Sequence, residues 1–195
     1  MKENHNVNQV AVCILLCAVF LISLSLLGFQ IALTRLLSVM LSYHYVFAAV
    51  SLAMLGLGFG GMFIHFFETN ISNTYNRFTM VVISATLCSL AMAFSVIIVM
   101  QTEHAASVNN NILLYCLVLC VPFFFGGVVM SEIFRIYPVL SARIYGADLV
   151  GAASGCIGVI FDLDLFGGVS TIFLFAVITS VTAILFAVSG KRVSG

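Results

Sequence analysis

The stretch VAVCILLCAVFLISLSLLGFQIAL, residues 10–33, contains no charged side chain. A helix needs about 20 mainly apolar residues to cross the hydrocarbon core of a bilayer, and this run supplies them. It exceeds the apolar heart of a cleaved signal peptide, and no small-x-small cleavage pattern follows it. Leu16, directly before Cys17, also argues against lipoprotein processing. The run reads as a signal anchor retained in the mature protein.

Five further apolar runs follow, at 45–67, 78–100, 112–134, 145–161 and 169–189. They are continuous rather than alternating, which excludes the patterning of a membrane β-barrel. The fifth is short and Gly-rich, so it is expected to cross nearly upright or to be held within the bundle. Composition agrees: 63% of residues are hydrophobic and 7% charged, against roughly 25% charged in a soluble domain. Such a chain cannot clothe a water-facing surface. The expected fold is all-α, a polytopic membrane helix bundle of six transmembrane helices forming a single domain over residues 1–195.

The charges orient it. Lys2, Arg77, Arg135, Arg143, Lys191 and Arg192 fall at the N-terminus, the second and fourth loops and the C-terminus, while the other three loops carry only Arg35. By the positive-inside rule, the N-terminus and C-terminus are expected to be cytoplasmic. The sequon-like Asn70-Ile71-Ser72 then faces the cytoplasm, where it is not glycosylated. A formal net charge of +0 gives no basic footprint for nucleic acid; the bilayer is the first partner the sequence implies.

Three kinds of residue suggest sites. Gly56 and Gly60 are four apart, as are Gly151 and Gly155; this spacing lets helix backbones approach closely in lipid, and lining a substrate path is the other reading. Pro122 removes a helical hydrogen bond and is expected to kink the fourth helix. Glu132 and Asp148 lie near the cytoplasmic ends of runs four and five, with Arg135 and Arg143 close in sequence. An interfacial ion-pair network accounts for them, and a pocket around Asp148 for a cationic group is the sharper reading, since a carboxylate at membrane depth must pair, meet water or be protonated. Arg35, on the opposite side, is expected to contact Asp162, Asp164 or Glu103. Tyr43, His44, Tyr45 and His65 read as interfacial residues.

Cys13, Cys17, Cys88, Cys116, Cys120 and Cys156 all lie in apolar runs and read as small packing residues, without metal-ligand spacing. No cofactor motif appears: Gly56-Leu57-Gly58-Phe59-Gly60-Gly61 lacks the strand and Lys of a phosphate loop. No Ser/His/Asp, Cys/His or paired-carboxylate constellation is available for catalysis.

Several blocks nevertheless resemble the membrane module of the spermidine synthase-like integral membrane proteins. They are Ala32-Leu33-Thr34-Arg35-Leu36-Leu37-Ser38, residues 56–61, Pro122-Phe123-Phe124, residues 145–152 and Leu163-Asp164-Leu165-Phe166-Gly167-Gly168. The resemblance implies a multi-helix part that precedes a cytoplasmic aminopropyltransferase-like domain. Gln30 stands where that family often has an acidic residue, and no Rossmann-like domain follows Lys191-Arg192 within these residues. Aminopropyl or methyl transfer is therefore not expected of this polypeptide alone. The expectation is a module of a bacterial-type cytoplasmic membrane that anchors or partners a cytoplasmic transferase-like protein and handles a polyamine-like or lipid-borne substrate, with Asp148, Glu132, Arg35 and Asp164 as substrate-binding candidates. Two other readings stay open: a small-solute or cation transporter or channel, and an enzyme completed as a homo-oligomer.

Overall fold

The computed structural model describes residues 2–40, 44–66, 74–101 and 112–194. Five helices follow one another: α1 (Lys2–Met40), α2 (His44–Phe66), α3 (Thr74–Gln101), α4 (Ile112–Ile136) and, after a 3-10 turn at Pro138–Leu140, α5 (Ser141–Ser194). No strand occurs among the described residues. Helix is the physical outcome of long apolar runs, because it satisfies each peptide N–H and C=O within its own segment. Four stretches are long and apolar enough to cross a membrane: Gln9–Val39, Arg77–Ile98, Leu117–Ile136 and Pro138–Gly190; α2 contributes the shorter Val50–Phe66.

Helix α5 is not one rod. Gly167 has φ 75° and ψ 169°, a conformation essentially reserved for glycine, and it divides the helix into arms at 141–166 and 168–194. Each arm is about 40 Å long at 1.5 Å per residue. The Thr171 hydroxyl lies 2.8 Å from the Gly167 carbonyl oxygen and 3.0 Å from that of Asp162. Its hydroxyl thus bonds back four residues to the break and across it to the first arm.

Contacts fix the direction of each helix. Ala11 meets Ser189, Ser25 meets Thr179 and Leu36 meets Gly168, so the second arm of α5 runs antiparallel to α1. Phe20 meets Gly151 and Leu24 meets Gly155, so the first arm runs parallel to α1. Helix α3 opposes the second arm through Phe78 with Gly190 and Ser89 with Ala176, and opposes α4 through Cys88 with Pro122 and Phe78 with Tyr137. Helix α2 parallels α4, with Leu52 against Cys120 and Ile64 against Arg135. Successive segments therefore alternate in direction, and Ala11 and Ser189 share one end.

Glycine sets the closest spacings. A Cβ on Gly151 or Gly155 would overlap the carbonyl oxygen of Phe20 or Leu24, and one on Gly60 would overlap that of Phe124. On Gly56 it would stand 2.8 Å from the Cys120 carbonyl oxygen and 2.9 Å from Phe123 Cβ. Both glycine pairs singled out by spacing thus lie where backbones touch, α2 on α4 and α1 on α5. Gly127, against the Leu57 backbone, does the same without such spacing, and Gly28 makes room for the Phe175 ring.

Large apolar side chains make up the core of the described residues. Phe29, Phe123, Phe175 and Phe186 are fully buried along with Leu15, Ile22, Leu33 and Met92; the rings of Phe29 and Phe123 meet 5.5 Å apart, tilted by 47°. A small polar knot ties α1, α3 and α5 together at mid-bundle. Thr179 Oγ1 lies 2.8 Å from Ser25 Oγ, 2.9 Å from the Phe175 carbonyl oxygen and 3.5 Å from Met92 Sδ, and Ser25 donates to the Ile22 carbonyl at 2.9 Å. The outward faces are apolar, with Phe47, Met54, Phe94, Leu117, Ile157, Val177 and Ile184 exposed.

Two expectations need correction. The first helix does not end near residue 33 but continues to Met40, so Arg35 is a helical residue rather than a loop residue. The fifth segment is not short: helix extends on both sides of 145–161, taking in Arg143, Asp162 and Asp164, because carboxylates near a helix end reach water without unwinding it. Pro122 lies inside α4, with helix on both sides of it; non-helical backbone inside α5 occurs at Gly167, where a residue without Cβ adopts what others cannot.

Alanine should separate these glycine roles in thermal melts in mild detergent. Gly151→Ala or Gly155→Ala forces α1 off α5 and should cost about 1–3 kcal/mol. Gly158→Ala, whose Cβ meets open space, should be neutral or stabilise by about 0.5–1 kcal/mol. Gly167→Ala has equal room yet should cost about 1–3 kcal/mol through backbone strain alone.

Candidate functional site

The bundle brings two of the four substrate-binding candidates together. Arg35, from the last turns of α1, and Asp164, from the end of the first arm of α5, line one open groove of about 440 Å³. Its walls include Ile31, Val39, Ile160 and Leu163, and Gly168 closes it beside the helix break. Local sequence explains the placement. Helix α1 runs on past its charge-free run, which carries Arg35 outward on a rigid rod; Gly167 turns the chain immediately after Asp164, which keeps that carboxylate at the rim. Both side chains are exposed. Among the described residues no ion pair joins Arg35 to Asp162 or Asp164, so the groove presents opposite charges on facing walls. Glu103, the third acid considered for Arg35, lies outside the described residues.

Asp148 belongs elsewhere. It is sixteen positions before Asp164 on the same arm, about 24 Å along the helix, and half-buried against α1, where Ser23 Oγ donates a hydrogen bond to its Oδ1. The arginine expected nearby is not its partner: among the described residues no ion pair links Asp148 with Arg143, which is exposed. In an apolar setting a carboxylate takes whichever donor is within reach, and here the opposing helix offers a hydroxyl. Nothing in the sequence marked Ser23, since a serine inside an apolar run is common and its partner lies on a distant segment.

Glu132 sits near the end of the bundle where α4 terminates, 2% exposed. Beside it in sequence, Arg135 Nη1 donates to the Ile64 carbonyl at 3.3 Å. That carbonyl is in the last turn of α2, where a cation complements the helix dipole. Tyr137, just beyond α4, packs edge-on against Phe78 at 6.0 Å, and burial pushes its phenol above the ordinary tyrosine range. His65 is exposed at the end of α2. Tyr43 and the Asn70 sequon lie outside the described residues, as do the side chains of His44, Tyr45, Lys2, Lys191, Arg192 and Cys116.

The remaining cysteines pack or bridge weakly. Cys88 and Cys120 direct their thiols at the Pro122 and Leu52 carbonyl oxygens, at 3.2 and 3.5 Å, while Cys13 and Cys17 are exposed on α1. Among the described residues no three His, Cys, Asp or Glu side chains gather as metal ligands would.

No protein-family model, curated protein or solved structure matches the chain. The geometry therefore speaks for itself: an amphipathic groove at one end, a hydroxyl-bound carboxylate between α1 and α5, and a buried glutamate at the other end.

Two outcomes test these placements. Asp148→Asn retains an acceptor for Ser23 and should leave folded yield in detergent unchanged, whereas Asp148→Leu strands the hydroxyl and should lower stability by about 1–3 kcal/mol. For Tyr137, the folded protein favours the neutral phenol, so the stabilisation is complete below the ordinary tyrosine pKa and is lost as pH rises through the raised value. The absorbance difference at alkaline pH between the wild type and Tyr137→Phe should appear above the pH at which free tyrosine ionises.

Proposed function

We propose that the chain is a six-pass module of a bacterial-type cytoplasmic membrane, with both ends cytoplasmic, that anchors or partners a cytoplasmic transferase and engages a lipid-borne ligand. The alternating directions of α1 to α4 and the two arms of α5 support six passes, since each arm is long enough to span about 30 Å of hydrocarbon. The side-biased Lys and Arg residues support the orientation. The transferase partner rests on the resemblance of residues 32–38, 56–61, 122–124, 145–152 and 163–168 to the spermidine synthase-like membrane module.

The observation that favours a module over a conduit is the packing among the described residues. Phe29, Phe123, Phe175 and Phe186 are buried there and glycines of α2 and α5 meet carbonyls of neighbouring helices, while the Arg35–Asp164 groove is open. A transporter has one specific point in its favour, the hydrogen bond from Ser23 to the Asp148 carboxylate between α1 and α5, since an ionisable group within a membrane bundle is a candidate for a substrate or ion path.

Purification in mild detergent followed by mass spectrometry should recover a Rossmann-like transferase with the chain. Its absence, together with uptake of labelled polyamine into vesicles holding this chain alone, would move the assignment to the transporter. Thiol labelling of Arg143→Cys and Ser38→Cys in an otherwise cysteine-free chain should occur from opposite faces of the membrane; labelling from the same face would refute the topology.

A further inference from the structure

The Arg35–Asp164 groove has a charge pattern that selects among ligands. We infer that it binds the headgroup of a zwitterionic phospholipid, with the phosphate at Arg35 and the ammonium at Asp164. This rests on the membrane reading above, which puts the groove at the level of the outer leaflet.

Four observations converge on that chemistry. The groove's volume of about 440 Å³ lies within the roughly 300–1,000 Å³ of small-ligand sites, enough for a headgroup but not for a whole lipid. It is open rather than enclosed, and its walls continue into outward-facing apolar surface: Val39 is 86% exposed, Leu165 76% and Ile160 60%. Acyl chains leaving the groove therefore meet side chains suited to them. Third, guanidinium presents a planar fork of N–H donors that matches phosphate oxygens, while the Asp164 carboxylate accepts from an ammonium through charge-assisted bonds.

The fourth observation is what the pair asks of a ligand. A purely anionic headgroup would leave Asp164 without a cation, and a polyamine would leave Arg35 without an anion. A ligand carrying both signs satisfies both walls. The two exposed charges come from separate helices, α1 and α5, that pack together through the Gly151 and Gly155 contacts, and among the described residues no ion pair joins them.

Native mass spectrometry of the full chain in detergent, titrated with phosphatidylethanolamine and phosphatidylglycerol of matched acyl chains, reads the preference. The wild type should favour phosphatidylethanolamine; Asp164→Asn should reduce that preference about tenfold, the effect of one lost charge-assisted contact, and Arg35→Gln should weaken binding of both lipids by about the same factor. Both side chains are exposed, so melting temperature should hold; if Arg35→Gln melts early it is replaced by Arg35→Lys, which should retain part of the binding. Equal binding of the two lipids by the wild type, an unchanged preference in Asp164→Asn, or unchanged binding in Arg35→Gln overturns the proposal. Equal binding of water-soluble phosphoethanolamine would overturn the lipid source. Because these readouts involve neither a partner nor labelling of a membrane face, failure here is distinct from failure of the module reading.

Discussion

Backbone-to-backbone contact between α1 and α5 is the constraint on which the rest of the structure depends. In lipid, apolar side chains gain little from leaving one hydrocarbon surface for another, so association relies on close packing and on hydrogen bonds between helices. Gly151 and Gly155 let α5 lie directly on the Phe20 and Leu24 carbonyls. Once α1 is held there, its partners follow: Thr179 reaches Ser25, Phe175 covers Gly28, and Leu36 comes to rest beside Gly168. Arg35 and Asp164 face each other because of this alignment rather than through any bond between them. The α2–α4 pair repeats the device with Gly56, Gly60 and Gly127, which gives the bundle two tight seams joined through α3.

The polar groups show how unevenly an apolar bundle distributes its hydrogen bonds. Most buried hydroxyls turn back on their own helix: Ser95 to Met92 and Thr182 to Ile178, at 2.7 and 2.9 Å. A few cross between helices, as Ser89 does to the Ala176 carbonyl at 2.8 Å. Those few give orientation to surfaces that are otherwise uniformly greasy, because a hydroxyl without a partner in such surroundings is costly. Asp148 extends the same logic to a charge-bearing group: its place against Ser23 specifies how the first arm of α5 is rotated about its own axis.

Much of the fold is legible in the sequence. Uninterrupted apolar runs leave helix as the available structure, and the four-residue spacing of Gly56 with Gly60 and of Gly151 with Gly155 points to the seams. What escapes is whatever depends on a partner from a distant segment. Gly28 and Gly127 look like ordinary helix residues until Phe175 and Leu57 are seen against them. The length of α1 beyond Leu33 and of α5 beyond Phe161 is hidden by Arg35, Asp162 and Asp164, which resemble loop residues in hydropathy but fit the rim of a helix. Pro122 drew attention as the chain's obvious helix breaker, yet Gly167 makes the turn, since proline's missing N–H is tolerable within a packed helix whereas reversal needs φ open only to glycine. Of the site, Arg35 and Asp164 stand out as isolated charges; that they share a groove while Asp148 and Glu132 do not is a matter of which helix lies beside which.

The reversal at Gly167 has a consequence for how the groove tolerates change. With one residue between its arms, α5 turns back almost without a loop, and Thr171 engages the carbonyl of Gly167 itself and that of Asp162 before it. The placement of Asp162 and Asp164 against the second arm is therefore inherited from one pair of backbone dihedrals. A longer connection would let that wall of the groove drift; a glycine in this conformation holds it where the backbone puts it.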